Sequence, residues 1–177
     1  MAYARYRYRP SGRMSRRELA VMVAIGLSLA VASGRASTHA APHPPVADAA
    51  AAPSPVAAQA IAYARRQLGK PYVWGGTGPY GFDCSGLVYA AYRSAGVILP
   101  RTTEAEWAGL RHITRAQLQP GDLIEYAGSD GTVSDPGHVV MYLGGGMVIQ
   151  AYATGYPVML TPLADVQAGG LTGYVRP

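Results

Sequence analysis

A lone cysteine, Cys84, and a histidine, His138, are the residues whose types could support nucleophilic chemistry. A thiol becomes a strong nucleophile when a nearby base removes its proton, and an imidazole is well suited to that role. Cys84 lies at the predicted first turn of a helix, where free backbone N–H groups and the helix dipole favour a thiolate. His138 begins an apolar segment. From spacing alone, a Cys–His site and a merely buried cysteine are equally favoured.

Gln150 is the candidate for a third group, which would orient His138. Two apolar strands, 138–143 and 147–152, flank three glycines and predict a β-hairpin. If the glycines form a three-residue loop, Val140 opposes Gln150, and Gln150 becomes a diagonal neighbour of His138 at about 7 Å between Cα atoms. A single amide in an apolar run needs a hydrogen-bond partner, and His138 would supply one. A glutamine facing water at the strand edge is the alternative.

The elements that would position these residues follow from capping signals and hydrophobic periodicity. Ser54 and Pro55 predict the start of a helix that ends at Gly69, and Asp83 predicts the cap of a second helix that ends at Gly96. A third, short helix is predicted from the capping box Thr103/Glu106, and a type II turn is predicted over 119–122. Further strands are predicted over 123–127, 158–160 and 173–175. Helices precede antiparallel strands, so the predicted class is α+β.

The first 55 residues are predicted to lie outside the folded domain. Residues 1–35 combine an arginine-rich start, the apolar run 19–33 and small residues after it, which is typical of an export signal. An uncleaved anchor is the alternative, although 15 residues span only about 22 Å of a bilayer core of about 30 Å. Residues 36–55 are rich in alanine and proline and predict a linker, in which His39 and His43 are solvated. The folded domain would occupy 56–177.

Charge and cysteine content exclude several classes of protein. The chain has 177 residues and a net charge of +5, but 7 of its 15 basic residues lie in the first 35. The remaining 8 basic residues face 9 acidic ones, so the folded part lacks the basic surface of a nucleic-acid-binding domain. One cysteine forms no intrachain disulfide and no multi-cysteine zinc site. His112 is predicted to be a surface residue. No metal and no cofactor is expected.

Five stretches of the folded part resemble the NlpC/P60 family of cell-wall cysteine peptidases, and they occur in the family's order. They are Pro71-Tyr72-Val73-Trp74-Gly75-Gly76, Asp83-Cys84-Ser85-Gly86-Leu87-Val88, Leu99-Pro100-Arg101-Thr102, Leu118-Gln119-Pro120-Gly121-Asp122-Leu123 and His138-Val139-Val140-Met141-Tyr142-Leu143. The combination of Asp-Cys-Ser-Gly with a preceding Tyr-x-Trp-Gly-Gly loop is specific. The resemblance extends from about residue 57 to residue 177.

The resemblance implies a papain-like α+β fold with N-terminal helices packed on an antiparallel sheet. It implies that Cys84 is the nucleophile, His138 the general base and Gln150 the third catalytic residue, where many members have a second histidine. Tyr72 corresponds to a tyrosine near the oxyanion position. Asp83 and Ser85 correspond to residues that help bind the free amino end of the substrate.

The resemblance also implies a function, the hydrolysis of peptidoglycan stem peptides between D-glutamate and a diamino acid. We therefore expect a secreted or cell-envelope thiol endopeptidase whose partner is the stem peptide. Nucleic acid is not expected as a partner, and a membrane would be contacted only through an uncleaved N-terminal segment. A non-catalytic wall-binding module and an acyltransferase or amidase on the same fold are the alternatives.

Overall fold

The computed structural model describes residues 52–166 and 168–177. The predicted export segment, residues 1–35, and all but the end of the predicted linker, residues 36–55, lie outside the described residues, and these assignments stay predictions. In the described part of the chain, no helix has the length and apolar character needed to cross a membrane.

Three α-helices, two short 3-10 helices and one six-stranded antiparallel sheet form the described part of the chain. The α-helices are α1 (Pro55–Arg66), α2 (Cys84–Ser94) and α3 (Thr103–Gly109). The strands are β1 (Arg111–Ile113), β2 (Leu123–Tyr126), β3 (His138–Gly144), β4 (Met147–Gln150), β5 (Met159–Pro162) and β6 (Leu171–Arg176). They are ordered β1-β6-β2-β3-β4-β5, and every pairing is antiparallel. The predicted α+β class is confirmed.

Helix α2 begins and ends where its capping residues predict. The Asp83 side chain accepts a hydrogen bond from the Gly86 amide at 2.6 Å, as expected of an N-cap. At the other end, Gly96 has a φ of +83°, and the amides of Gly96 and Val97 donate to carbonyls of the last helical turn. This Schellman arrangement satisfies carbonyls that have no partner within the helix. Cys84 is therefore the first residue of α2.

The start of α3 corrects one detail of the sequence analysis. Thr102, rather than Thr103, is the N-cap, and its hydroxyl accepts from the Ala105 amide at 3.4 Å. Thr103 is instead the first helical residue and is buried. The Glu106 carboxylate is fully buried and points into the protein, so the predicted Thr103/Glu106 capping box does not form.

The main hydrophobic core lies between the helices and one face of the sheet. Helix α2 packs on strand β3 and on α1. The core includes Leu87, Val88 and Ala91 of α2, and Val139 and Met141 of β3. A smaller cluster covers the opposite face of the sheet. Because α2 lies against β3, the first residue of α2 is brought towards the first residue of β3.

The β3–β4 hairpin has the predicted register but a shorter loop. Met141 pairs with Ile149, and continuing this register sets Gln150 opposite Val140, as predicted. Gly144 belongs to β3 as a bulged residue instead of lying in the loop. The loop is therefore Gly145-Gly146, with φ values of +58° and +71° that match a type I′ turn. Since the bulge lies next to the turn, it does not change the strand pairing at the other end of the hairpin, where His138 and Gln150 lie.

Two further differences concern strands β1 and β4. Strand β1 was not predicted; it contains His112, which is exposed as expected but stacks on Trp107 with 3.9 Å between ring centroids. Strand β4 ends at Gln150, so Tyr152 lies in the loop after the strand instead of within it.

Candidate active site

A cleft of about 350 Å³ opens at the junction of α2 and β3. It contains both residues of the predicted nucleophile–base pair and the predicted oxyanion-side tyrosine. The described residues that line it are Tyr72, Trp74, Cys84, Gly128, Ser129, Asp130, Gly137, His138, Tyr152, Ala153, Thr154 and Ala168. The structure therefore brings Cys84, His138 and Tyr72 together from three separate parts of the chain.

Cys84 is half-buried at the start of α2, and its Sγ lies 3.9 Å from the carbonyl oxygen of Gly137. Burial raises the pKa of the Cys84 thiol to about 12, although backbone N–H groups of Val139 and Ser85 favour the thiolate and lower it. Burial opposes the thiolate predicted from the helix start. A base that receives the proton locally is therefore required for the thiol to ionise at neutral pH.

His138 is buried and its ring is held by Gln150. Nε2 of His138 lies 2.9 Å from Oε1 of Gln150, which confirms the predicted hydrogen bond. The other end of the amide donates to the Thr161 hydroxyl on β5 at 2.8 Å. With the amide oxygen facing the ring, Nε2 carries the proton and Nδ1 keeps its lone pair. Burial lowers the pKa of His138, while the hydrogen bond that its ring donates to Gln150 and the charge of Asp130 raise it.

Tyr152 supports the His138 ring from one side. The two rings meet edge to face, with centroids 5.8 Å apart and planes at 89°, and Tyr152 meets Tyr156 in the same way at 5.4 Å. Aromatic rings in this geometry attract each other and restrict rotation. Two contacts therefore restrict rotation of the imidazole, the hydrogen bond to Gln150 and the ring contact with Tyr152.

Tyr72 lies on the Gly-rich segment before α2 and lines the cleft. Its backbone amide donates to the Tyr156 carbonyl at 3.1 Å, which anchors this segment to the loop after β4. Burial, followed by the charges of Cys84, Asp83 and Asp130, raises the pKa of Tyr72 to about 12, and Arg101 opposes this shift. The phenol is thus protonated at neutral pH and can donate a hydrogen bond into the cleft.

Asp83 and Ser85 flank Cys84 in sequence but point away from the cleft. The Asp83 carboxylate accepts from the amides of Gly86 and Gly75 and from Arg101, at 2.6, 2.8 and 2.8 Å. Arg101 also donates to the Ser85 hydroxyl at 3.0 Å. Both predicted substrate-binding side chains are buried and engaged within the protein. In this structure they hold the Gly-rich segment against the start of α2.

The close approach of these two segments requires Gly86. A Cβ at this position would overlap the carbonyl oxygen of Gly76 and come within 2.6 Å of Asp83 Oδ1. The glycine in the Asp-Cys-Ser-Gly sequence therefore allows the segment that carries Tyr72 to lie directly against the helix that carries Cys84.

Four residues of the site were given no role by sequence reasoning: Arg101, Asp130, Tyr152 and Thr161. The contact between Tyr152 and His138 could have been predicted, because the predicted hairpin register already set these two residues opposite each other. Arg101 lies in one of the five stretches that resemble the family, but no spacing pattern in the sequence pairs it with Asp83. Among the described residues, no three histidine, cysteine, aspartate or glutamate side chains are grouped as metal ligands would be.

The sequence profile of the NlpC/P60 family matches residues 69–168, which is more than half of the chain and contains the whole cleft-forming hairpin and α2. The chain belongs to the NlpC/P60 family. A probable endopeptidase of Mycobacterium tuberculosis is 39% identical over 97 residues, which are 55% of this chain and 24% of that protein. A probable endopeptidase of Corynebacterium glutamicum is 41% identical over 115 residues, 64% of this chain and 52% of that protein.

Solved structures of NlpC/P60 proteins share this fold. The peptidoglycan hydrolase RipB from Mycobacterium tuberculosis is 32% identical, with a TM-score of 0.59 over 69% of this chain and 64% of that chain. An NlpC/P60 family protein from Bacillus cereus is 33% identical, with a TM-score of 0.62 over 70% of this chain and 41% of that one. The chain spans about a quarter of the length of the mycobacterial relatives that it matches by sequence.

Proposed function

We propose that this NlpC/P60 chain is an exported thiol endopeptidase that cleaves peptidoglycan stem peptides. The observation that carries the proposal is the hydrogen-bonded chain Thr161–Gln150–His138, whose last member lines the same cleft as Cys84. The amide holds the imidazole with its proton on Nε2, so that Nδ1 is available to accept the thiol proton. A wall-binding module would have no need for this orientation.

Hydrolysis would proceed through an acyl-enzyme. Nδ1 of His138 takes the Cys84 proton, and the thiolate attacks the peptide carbonyl carbon. The oxyanion receives hydrogen bonds from the Tyr72 hydroxyl and from the Cys84 amide, which has no intrahelical acceptor at the first position of α2. The imidazolium then protonates the leaving amine, and the C–N bond breaks. Water, deprotonated by His138, finally releases the acyl group from sulfur.

The proposed bond lies between D-glutamate and the diamino acid of the stem peptide. Support comes from the family and from its relative RipB, which is a peptidoglycan hydrolase. The lining of the cleft also offers polar groups to a peptide, since Ser129, Asp130 and Thr154 share its walls with Trp74. An acyltransferase acting on a lipid would instead need a broad apolar groove beside Cys84.

Export forms part of the same proposal, because peptidoglycan lies outside the cytoplasmic membrane. Residues 1–35 would direct export as a signal peptide or signal anchor. Residues 36–55 would be a linker between this export segment and the catalytic domain, which would occupy residues 56–177. The arginines of the first 35 residues and the apolar run 19–33 support this division.

Digestion of purified sacculi, followed by mass spectrometry of the released fragments, tests the proposal. The parent protein should release fragments with new ends at the D-glutamyl and diamino acid residues, and Cys84→Ala should release none. Circular dichroism should show that Cys84→Ala remains folded. Release of fragments by Cys84→Ala would overturn the thiol mechanism. Binding of sacculi without cleavage would identify a wall-binding module, and transfer of an acyl group would identify the acyltransferase alternative.

A further inference from the structure

The cleft carries a negative charge that the proposed mechanism does not use. Asp130 is the only carboxylate among the described residues that line the cleft, and no lysine or arginine lines it with them. His138 is held neutral by burial, which lowers its pKa, and Tyr72 is neutral because its pKa is raised to about 12. The cleft therefore presents a net negative charge to its substrate at neutral pH.

Asp130 lies beside the reacting groups. A Cβ built on Gly137 would be 2.8 Å from Asp130 Oδ1, so this carboxylate oxygen packs against the Gly137 backbone. The carbonyl of Gly137 is the group that faces Cys84 Sγ at 3.9 Å, and His138 is the next residue in the chain. The charge of Asp130 acts on both His138 and Tyr72. These relationships locate the carboxylate in the part of the cleft wall that contains Gly137 and His138.

The loop that carries Asp130 is held in place at its base. The Gly137 amide donates to the carbonyls of Tyr126 and Ala127 at 3.1 and 3.0 Å. Within the loop, the Thr132 amide donates to the Asp135 carbonyl at 2.7 Å. A carboxylate carried by a closed loop costs less entropy to position when a ligand binds.

Asp130 and Asp83 differ in how their charges are compensated. The charge of Asp83 is neutralised by Arg101 and its carboxylate accepts two backbone amides. Asp130 is exposed, and in the described part of the chain its hydrogen-bond partner is the Ser129 hydroxyl at 3.5 Å, the long limit for such a bond. Of these two carboxylates, only Asp130 lines the cleft and is available to a ligand.

We infer that Asp130 is a specificity-determining residue of the cleft, which selects peptides that carry an ammonium group next to the scissile bond. This inference rests on the proposed endopeptidase function and deepens it. It transfers recognition of a substrate amine from Asp83 and Ser85, to which the family resemblance assigned it, to the loop between β2 and β3. The ammonium belongs either to the free amino end of the peptide or to the side chain of its diamino acid.

A set of four stem tetrapeptides, L-Ala–γ-D-Glu–L-Lys–D-Ala, distinguishes these sources. One is unmodified, one is acetylated at the amino end, one at the lysine side chain, and one at both. Hydrolysis by the parent protein gives kcat/KM, and calorimetry with Cys84→Ala gives affinity without turnover. One of the two acetylations should lower kcat/KM and affinity by about 3- to 10-fold, as expected for a partly exposed ion pair. The loss should shrink as salt concentration rises.

Substitutions at Asp130 should remove that discrimination. Asp130→Asn should bind and cleave the preferred free amine and its acetylated form about equally well, and Asp130→Lys should prefer the acetylated form. Asp135→Asn is the matched control, because Asp135 lies in the same loop but does not line the cleft, and it should keep the parent's preference.

Measuring binding and turnover separately allows the role of Asp130 and the proposed endopeptidase activity to fail independently. Equal affinity of Cys84→Ala for all four peptides, or a preference that survives Asp130→Asn, would overturn the role of Asp130. A preference in binding that Asp130→Asn abolishes, without any hydrolysis by the parent protein, would support Asp130 and contradict the endopeptidase.

Discussion

Oε1 of Gln150 lies 2.9 Å from Nε2 of His138, and both side chains are buried. A neutral amide provides less stabilisation for an imidazolium than a carboxylate does, so its main effect here is geometric. It holds one ring nitrogen as a donor and leaves the other as an acceptor. Thr161 keeps the amide oxygen turned towards the ring by accepting from its NH₂ group at 2.8 Å.

Substitution of Gln150 should lower turnover more than substrate binding. Gln150→Ala and Gln150→Leu remove the acceptor and should lower kcat by roughly 10- to 100-fold, about 1.4 to 2.7 kcal/mol, with little change in KM. Gln150→His should keep much of the activity, because a neutral imidazole also accepts a hydrogen bond. Steady-state kinetics on a stem peptide measures all three variants.

Thr161→Val provides a matched control for the Gln150 series. It removes the hydroxyl that receives the amide NH₂ but leaves the amide itself, so its loss of kcat should be smaller than that of Gln150→Leu. Turnover of Gln150→Leu at the rate of the parent protein would mean that the amide has no part in orienting His138.

The reactivity of Cys84 should depend on His138. Burial raises the pKa of the thiol to about 12, so at pH 7 very little thiolate exists unless a neighbouring base takes the proton. In the parent protein, iodoacetamide should alkylate Cys84 readily at pH 7. In His138→Ala, alkylation should be slow at pH 7 and should keep rising with pH beyond pH 9. Mass spectrometry of the alkylated peptide measures the rate.

Gln150→Ala is informative in the same alkylation experiment. It keeps the base but loosens its orientation, so its rate at pH 7 should fall between those of the parent protein and His138→Ala. Equal rates for the parent protein and His138→Ala at pH 7 would exclude His138 as the base for Cys84.

A second pair of buried groups, Glu106 on α3 and Glu125 on β2, affects stability. Both are fully buried, and in the described residues none of their four carboxylate oxygens has a hydrogen-bond partner. Burial and the charge of Glu104 raise the pKa of Glu125 to about 9. Burial, followed by the charge of Glu125, raises the pKa of Glu106, while Arg101 lowers it and Asp83 and Glu104 raise it further.

This pair should make the protein less stable as the pH rises. In the unfolded chain both glutamates ionise near pH 4.3, whereas in the folded protein they stay protonated. Their full contribution to stability is present below about pH 4.3 and is lost as the pH rises through the folded pKa of Glu125, about 9. Glu125→Leu should therefore raise the free energy of unfolding at pH 8 by about 1 to 3 kcal/mol. Urea denaturation between pH 5 and pH 9 measures this.

Asp135→Asn is the control for Glu125→Leu, because Asp135 is also an acidic residue but is exposed and is not among the charges that act on Glu125 or Glu106. It should change the free energy of unfolding only slightly, by less than about 0.5 kcal/mol. A stability of Glu125→Leu that falls with pH as steeply as that of the parent protein would show that Glu125 does not titrate in this range.

The sequence alone determined the features that depend on neighbouring residues. Ser54 and Asp83 cap α1 and α2 as predicted, because an N-cap is satisfied by an amide three residues away. Gly121, with a φ of +100°, forms the predicted type II turn. The His138–Gln150 contact was also predictable, since a hairpin register follows from strand alternation and a short loop.

Only the tertiary structure decided the contacts between distant segments. Arg101 reaches Asp83 across 18 positions of the chain and withdraws it from the cleft, while a distant loop brings Asp130 into the cleft. Glu106 satisfied a local capping pattern, yet the packing of α3 on the sheet buried its carboxylate and left Thr102 as the cap. A spacing rule counts positions along one element, whereas the charge and burial of a side chain depend on which other elements fold against it.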